Sequence, residues 1–226
     1  MSKSRKAFEA RTHLVEAVIR LLSEEDPSAI QARRLAREIG TSTMAVYYHF
    51  GGMPQLLSEV ALVGFRRLDA RLGAVPVTDD PVADICRLAL TYRDVARENP
   101  HLYDLMFGLS APEGHRPDPS PHQVGDQNAD GVFEAEAANA YRHLVDASER
   151  AMLASRIRED DPATIAAQLW SLLHGYVTLE LAGHFDHLTD STEQILLLLG
   201  RNLLIGLGDT PERIEASAAF SLDPRP

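Results

Sequence analysis

A single cysteine, Cys86, stands among 226 residues, which rules out a disulfide within the chain and any cysteine-rich metal site, and points to a reducing compartment. Lysine is nearly as scarce. Lys3 and Lys6 stand beside 20 arginines, a bias that suggests a GC-rich genome and says nothing about a ligand. No hydrophobic run approaches the roughly 20 residues of a membrane span. The most apolar stretch, Ile195 to Gly200, is bounded by Glu193 and Arg201. Met1 to Arg11 is charged where a secretory leader would be apolar, so a soluble cytoplasmic protein is expected. Also missing are strand-type alternation, internal repeats, a nucleophile elbow, a phosphate loop, a cysteine nucleophile and a dinucleotide fingerprint. These absences argue against an enzyme, and no cofactor or metal is expected.

What is present is acid, unevenly spread. The net charge of -11 is wrong for a nucleic-acid binder until the chain is split. Residues 1 to 72 carry 11 Lys and Arg against 8 Asp and Glu, a balance of +3, whereas residues 73 to 226 carry 11 against 25, a balance of -14. The first part can approach a polyanion that the rest repels, provided its arginines are well placed. Acid in the second part also serves solubility, which does not conflict with that reading. At 45% hydrophobic residues the chain is too apolar for wholesale disorder and long enough for one large domain or two small ones.

Helical periodicity starts early. Phe8, Val15, Ile19 and Leu22 fall on one stripe, with Leu14, Val18 and Leu21 beside it, predicting a first helix from about Lys6 to Glu25 that stops before Pro27. Ala32, Leu35, Ala36 and Ile39 recur at the same spacing and mark a second. Gly40 can take the positive φ that ends it, and Thr41 or Ser42 can cap a third, Thr43 to Phe50. The expected result is two short helices joined by a glycine turn, the second carrying hydroxyls and aromatics outward, as a reader of a DNA groove needs.

Leu35-Ala36, Gly40, Val46-Tyr47-x-His49-Phe50 and Leu56-Leu57 together resemble the DNA-binding signature of the TetR family of bacterial transcriptional regulators, over roughly residues 8 to 57. The resemblance implies an all-α homodimer: a three-helix DNA-binding domain (1–52), a helical ligand-sensing and dimerisation domain (53–208) and a C-terminal tail (209–226). It further implies a regulator, most simply a repressor, that binds a pseudo-palindromic operator and is released by a small-molecule effector. The residues expected at DNA are Gln31, Arg33, Arg37, Thr41, Ser42, Thr43, Tyr47, Tyr48, His49 and Gly52. Thr43 is placed to reach base edges, Tyr47 and His49 match positions that meet phosphates, and the Gly51-Gly52 start of the fourth helix offers backbone N–H groups. Tyr47 or Tyr48 packing against the first helix is the competing role, and Arg33 and Arg37 could be plain solvated charges. Two positions depart from the family pattern: Met53 replaces a phosphate-binding lysine, and Gln31 stands where a better cap, Thr or Ser, is usual.

Further helices are expected from about Met53 to Leu72, Pro81 to Glu98, Asn99 to Phe107, Phe133 onward, Pro162 to His184 and Asp190 to Leu207, about nine in all. Ser110 to Gly131, rich in Pro, Gly, Asp and His, reads as a long loop, and residues 209–226 as at most one further turn and a tail. The seventh helix carries a small-residue seam of Ala137, Ala140, Ala147, Ala151 and Ala154. The two near 163–184 and 190–207 are apolar nearly all round, and a helix without a polar face must be covered on both sides. A partner subunit is the expected second cover.

Trp170-Ser171-Leu172-Leu173-His174-Gly175 and Asn99-Pro100-His101-Leu102-Tyr103 resemble elements of a Trp-His-Gly subgroup of TetR-like C-terminal domains. Tyr103, Phe107, Trp170, His174 and Val177 are the candidate ligand residues, with His174 as polar handle. Core packing, with Gly175 permitting close helix approach, is the alternative. Two rival classes remain: a helical dimer acting as a protein-interaction module with degenerate DNA binding, which Met53 hints at, and a metal-binding enzyme built on His184, Asp186, His187 and Asp190, with His115 and His122 in the loop.

Overall fold

The computed structural model describes residues 3–24, 26–27, 30–109 and 130–221. Among the described residues the regular elements are helical, as expected. They are α1 (Lys3–Leu22), α2 (Ala32–Glu38), α3 (Thr43–Phe50), α4 (Met53–Gly73), α5 (Pro81–Glu98), α6 (Pro100–Met106), α7 (Asp130–Leu153), α8 (Pro162–Leu181), a π-helical segment (Thr192–Leu197) that continues into α9 (Leu198–Gly206), and α10 (Pro211–Ser221). Most of the expected loop, residues 110–129 with His115 and His122, lies outside the described residues. The chain divides into two units, residues 1–67 with 98–136 and residues 68–97 with 137–226.

In the first unit, Leu14, Val18 and Leu22 of α1 are almost wholly buried with Leu35 of α2, Val46 of α3, and Leu56 and Val60 of α4. The apolar stripe of α1 therefore begins at Leu14. Phe8, expected on that stripe, is 71% exposed, because it lies almost two turns before the buried run begins. Asn99 caps α6 by accepting from the Leu102 N–H at 2.9 Å, and its Nδ2 reaches the Ile19 carbonyl at 3.4 Å, so one side chain both starts α6 and ties it to α1. Phe65 of α4 meets Phe107 edge-on at 5.4 Å between ring centroids.

The second unit is pinned by buried charge. Arg156, in the link between α7 and α8, donates to Asp209 (2.8 Å), Asp80 (2.8 Å) and Ser217 (2.9 Å), and Ser217 in turn donates to Asp80 at 2.7 Å. Asp209 is fully buried. This knot corrects the expected tail: α10 is eleven residues long rather than one turn, with Ile214 and Ser217 buried against the rest. Its sequence has too few apolar positions to announce a packed face, and a buried arginine supplies what apolar area does not. Three smaller differences occur. α8 stops at Leu181, three residues early, Ala154 falls just beyond the end of α7 and is exposed, and the start of the ninth helix is π-helical over six residues, a distortion no 3.6-residue pattern encodes.

Asp84, also buried, accepts from Thr78 N (2.9 Å) and Oγ1 (2.7 Å), Arg87 (2.8 Å) and Arg150 (2.8 Å). Burial by itself raises its carboxyl, but the bonds from Thr78, Arg150 and Arg87 outweigh it and hold the pKa below the ordinary 3.8. A depressed carboxyl contributes stability that is complete above its unfolded pKa and lost as pH falls through its lower folded value. Asp84→Asn is expected to cost about 3 kcal/mol at neutral pH and to flatten the loss of thermal stability expected of the unaltered protein below about pH 4, both read from melting curves across a pH series.

Candidate nucleic-acid interface

α2 ends as its sequence predicts. Gly40 takes φ +64°, the Thr41 N–H bonds the Ala36 carbonyl at 2.8 Å and the Gly40 N–H the Arg37 carbonyl at 3.4 Å, a left-handed closure that reverses the chain within two residues. Ser42 then holds the N-cap position of α3 with extended backbone, yet neither it nor Thr41 is used as a side-chain cap, and both residues are exposed. Gln31, likewise the N-cap residue of α2, is exposed and makes no capping bond, matching its poor suitability for that task.

α3 divides cleanly. Val46 and Phe50, four apart, are buried; Tyr47 is 56% and Tyr48 80% exposed, while Thr43 and His49 are half-buried. Both tyrosines are thus more exposed than covered. Tyr48 meets the His49 ring edge-on at 5.0 Å. Arg33 and Arg37 lie exposed on α2. The junction to α4 is tight: Gly51 has φ +83°, and Gly52 is buried, its carbonyl accepting from Leu56. Pro54 is the second residue of α4 and has no N–H, so the helix start offers fewer free donors than Gly51-Gly52 alone suggested.

One residue at this surface escaped the sequence reading. Arg11 of α1 donates through Nη1 to the His49 carbonyl at 3.0 Å and through Nη2 to Glu59 of α4 at 2.7 Å, with its guanidinium 4.5 Å from the Phe50 ring centroid. Nothing in the local pattern marks it, since its partners lie 38 and 48 residues away.

The expected ligand residues fall into two groups. Tyr103 and Phe107 belong to the first unit, rings 4.8 Å apart, with Tyr103 buried. Trp170, His174 and Val177 belong to the second. Trp170 stacks on His174 at 5.1 Å and meets Tyr141 edge-on at 6.2 Å; the His174 Nδ1 lies 3.1 Å from the Tyr92 hydroxyl, and Val177 is fully buried. Burial pushes the His174 pKa below the ordinary 6.5, which favours a neutral ring. Gly175 is exposed with no atom near the place a Cβ would occupy, so it does not admit another helix of its own chain. An open cleft of about 340 Å³ in the second unit is lined by Arg71, Val75, Arg87, Leu90 and Asp94 among others and includes none of these residues. Among the described residues no group of three His, Cys, Asp or Glu is placed to hold a metal, and His184 and His187 are exposed. No helix among them is long and apolar enough to cross a membrane.

Residues 14–60 match the family model described as bacterial regulatory proteins, tetR family, and residues 85–201 match one described as tetracyclin repressor-like, C-terminal domain. The HTH-type transcriptional regulator Rv0681 of Mycobacterium tuberculosis is 28% identical over 207 residues, spanning 87% of this chain and 83% of its own. A structure of a protein of unknown function from Rhodococcus sp. RHA1 superposes with a TM-score of 0.72 at 24% identity, covering 88% of this chain and 96% of the other. The TetR family transcriptional regulator PfmR from Thermus thermophilus gives 0.56 at 19% identity, covering 92% and 94%.

The division of α3 sets a stability test. Val46→Ala is expected to cost about 2 kcal/mol, whereas Tyr47→Ala and Tyr48→Ala stay within about 0.5 kcal/mol of the parent, as measured by denaturant unfolding.

Proposed function

The chain belongs to the TetR family of bacterial regulatory proteins, and from that premise we propose that it is a ligand-responsive cytoplasmic repressor, a homodimer that sets two copies of α3 into a pseudo-palindromic operator and is released by a small molecule. The observation that carries this reading is the split of α3: two buried residues anchor it while Thr43, Tyr47 and Tyr48 are left for a partner. Residues 1–52 form the DNA-binding part in this reading. Thr43 reaches base edges, and Tyr47, Tyr48 and His49 meet phosphates, together with Thr41, Ser42, Gln31, Arg33, Arg37 and the Gly52 backbone. The sensing and dimerising part begins at residue 53 and takes in α10, because Ser217 is bonded into the same knot as Arg156.

The proposed dimer forms through α8 and α9. Ala167, Ser171, Gly175 and Leu179 recur every fourth residue along α8 and are all exposed, opposite a face of Ile165, Ala166, Leu169, Leu173, Tyr176 and Val177 that is buried. Leu198, Leu199 and Ile205 are exposed on α9. Small residues flanked by leucines suit close packing against the same helices of a second copy. The effector would meet His174, whose ring stacks on Trp170 and whose Nδ1 lies beside the Tyr92 hydroxyl, and its effect on DNA affinity is bounded by its preference for one state of the dimer.

On DNA taken from its own upstream region, binding is expected to weaken steeply with salt, and Thr43→Ala with Tyr47→Ala to lower affinity about a hundredfold. Parental affinity in that double variant, in a fluorescence anisotropy titration, would remove α3 as the reader. Leu179→Glu with Leu199→Glu is expected to sediment as a monomer and to lose operator binding with it; a dimer that persists would place the interface elsewhere.

A further inference from the structure

We propose that Arg11 is a positioning residue for DNA reading, fixing how α1 and α4 hold α3 without itself contacting DNA. The inference rests on α3 being the reading helix.

Three helices meet at one guanidinium. The carbonyls of the last turn of a helix have no partner within it, and in α3 the Gly51 N–H takes only the Tyr47 carbonyl. Arg11 takes the His49 carbonyl at 3.0 Å, setting a full positive charge at the negative end of the α3 dipole. Its other limb is bonded to Glu59, in the second turn of α4, at 2.7 Å. The plane of the group lies against Phe50, one of the two side chains that anchor α3 in the core. A planar fork can serve a carbonyl and a carboxylate at once at a fixed angle, and a lysine ammonium, a point donor on a flexible stem, cannot. The reading helix is only eight residues long and too short to hold a conformation alone, so its orientation comes from such contacts. The Glu59 carboxylate also offsets the charge that Arg11 would otherwise offer a phosphate.

Charge and position predict opposite signs at Glu59. If charge alone mattered, removing an acid from the DNA-facing part would tighten binding. Positioning requires Glu59→Gln to weaken it. The full-length protein is titrated with its own upstream DNA and with a scrambled duplex over a salt series, as Arg11→Lys, as Glu59→Gln and as both. Each single variant is expected to lose about tenfold in affinity for the upstream DNA, the scale of one charge-assisted contact. The double variant should lose no more than the worse single. Affinity for the scrambled duplex and the slope of log Kd against log salt should stay unchanged for Arg11→Lys. A slope reduced by about one phosphate contact, or tighter binding by Glu59→Gln, would overturn the proposal. Amide exchange of the free protein gives a readout independent of DNA: in Arg11→Lys the amides of α3 should exchange faster while those of α5 and α10 do not. Unchanged α3 exchange overturns the clamp whatever the DNA result. Faster exchange with unaltered affinity for the upstream DNA overturns the positioning role in reading, whereas α3 as the reader stands or falls with the Thr43→Ala and Tyr47→Ala double variant.

Discussion

α3 is held by two side chains and one backbone carbonyl. Val46 and Phe50 supply the buried face, worth about 1.5–3 kcal/mol each if taken wholly out of water, and the His49 carbonyl is fixed by Arg11. Neither contribution alone would order an eight-residue helix, whose nucleation is unfavourable in isolation. Together they leave Tyr47 and Tyr48 outward with no packing duty. The left-handed closures at Gly40 and Gly51 complete the arrangement by bounding α3 within a few residues at each end.

The second unit solves a different problem by different means. Its connections are joined by buried ionic groups: Arg156 with Asp209 and Asp80, Asp84 with Arg87 and Arg150, and Arg93 with Glu180 at 2.6 Å. Such groups are costly to remove from water, so each is tolerated only where nearly all its bonding capacity is met, and each then specifies one arrangement of helix ends. The knot at Arg156 brings the start of α5, the α7–α8 link and the last helix to one point. α8 itself has a buried face and an outward ridge of small residues and leucine.

Much of this was legible in the chain. Leu35, Ala36 and Gly40 do what their spacing predicts, because helix phase and glycine turns are encoded within a few residues of themselves. Asn99-Pro100 and Asp161-Pro162 mark the starts of α6 and α8 in the chain, and in the structure both Asn99 and Asp161 cap those helices. The failures have a common origin. Phe8 fitted the phase of α1, but phase tells which face is apolar and not how far along the helix the cover extends. α10 looked like a tail because its attachment is a serine and an isoleucine rather than a stripe. Pro54, the second residue of α4, removes a donor at that helix start through its own lack of an N–H.

By itself the sequence determined the helical class, the order of the elements up to α9 and the turn before the third helix, since each depends on residues within a turn or two of one another, and the family, through a joint pattern of such local signals. The packed chain alone decided that Arg11 would join α1, α3 and α4, that Arg156 would gather Asp80, Asp209 and Ser217, and which ridge of α8 would stay uncovered. These contacts bridge 38 to 76 residues. Over such separations periodicity carries no information, and the partner of a buried charge is set by which helix ends meet when the apolar faces have closed.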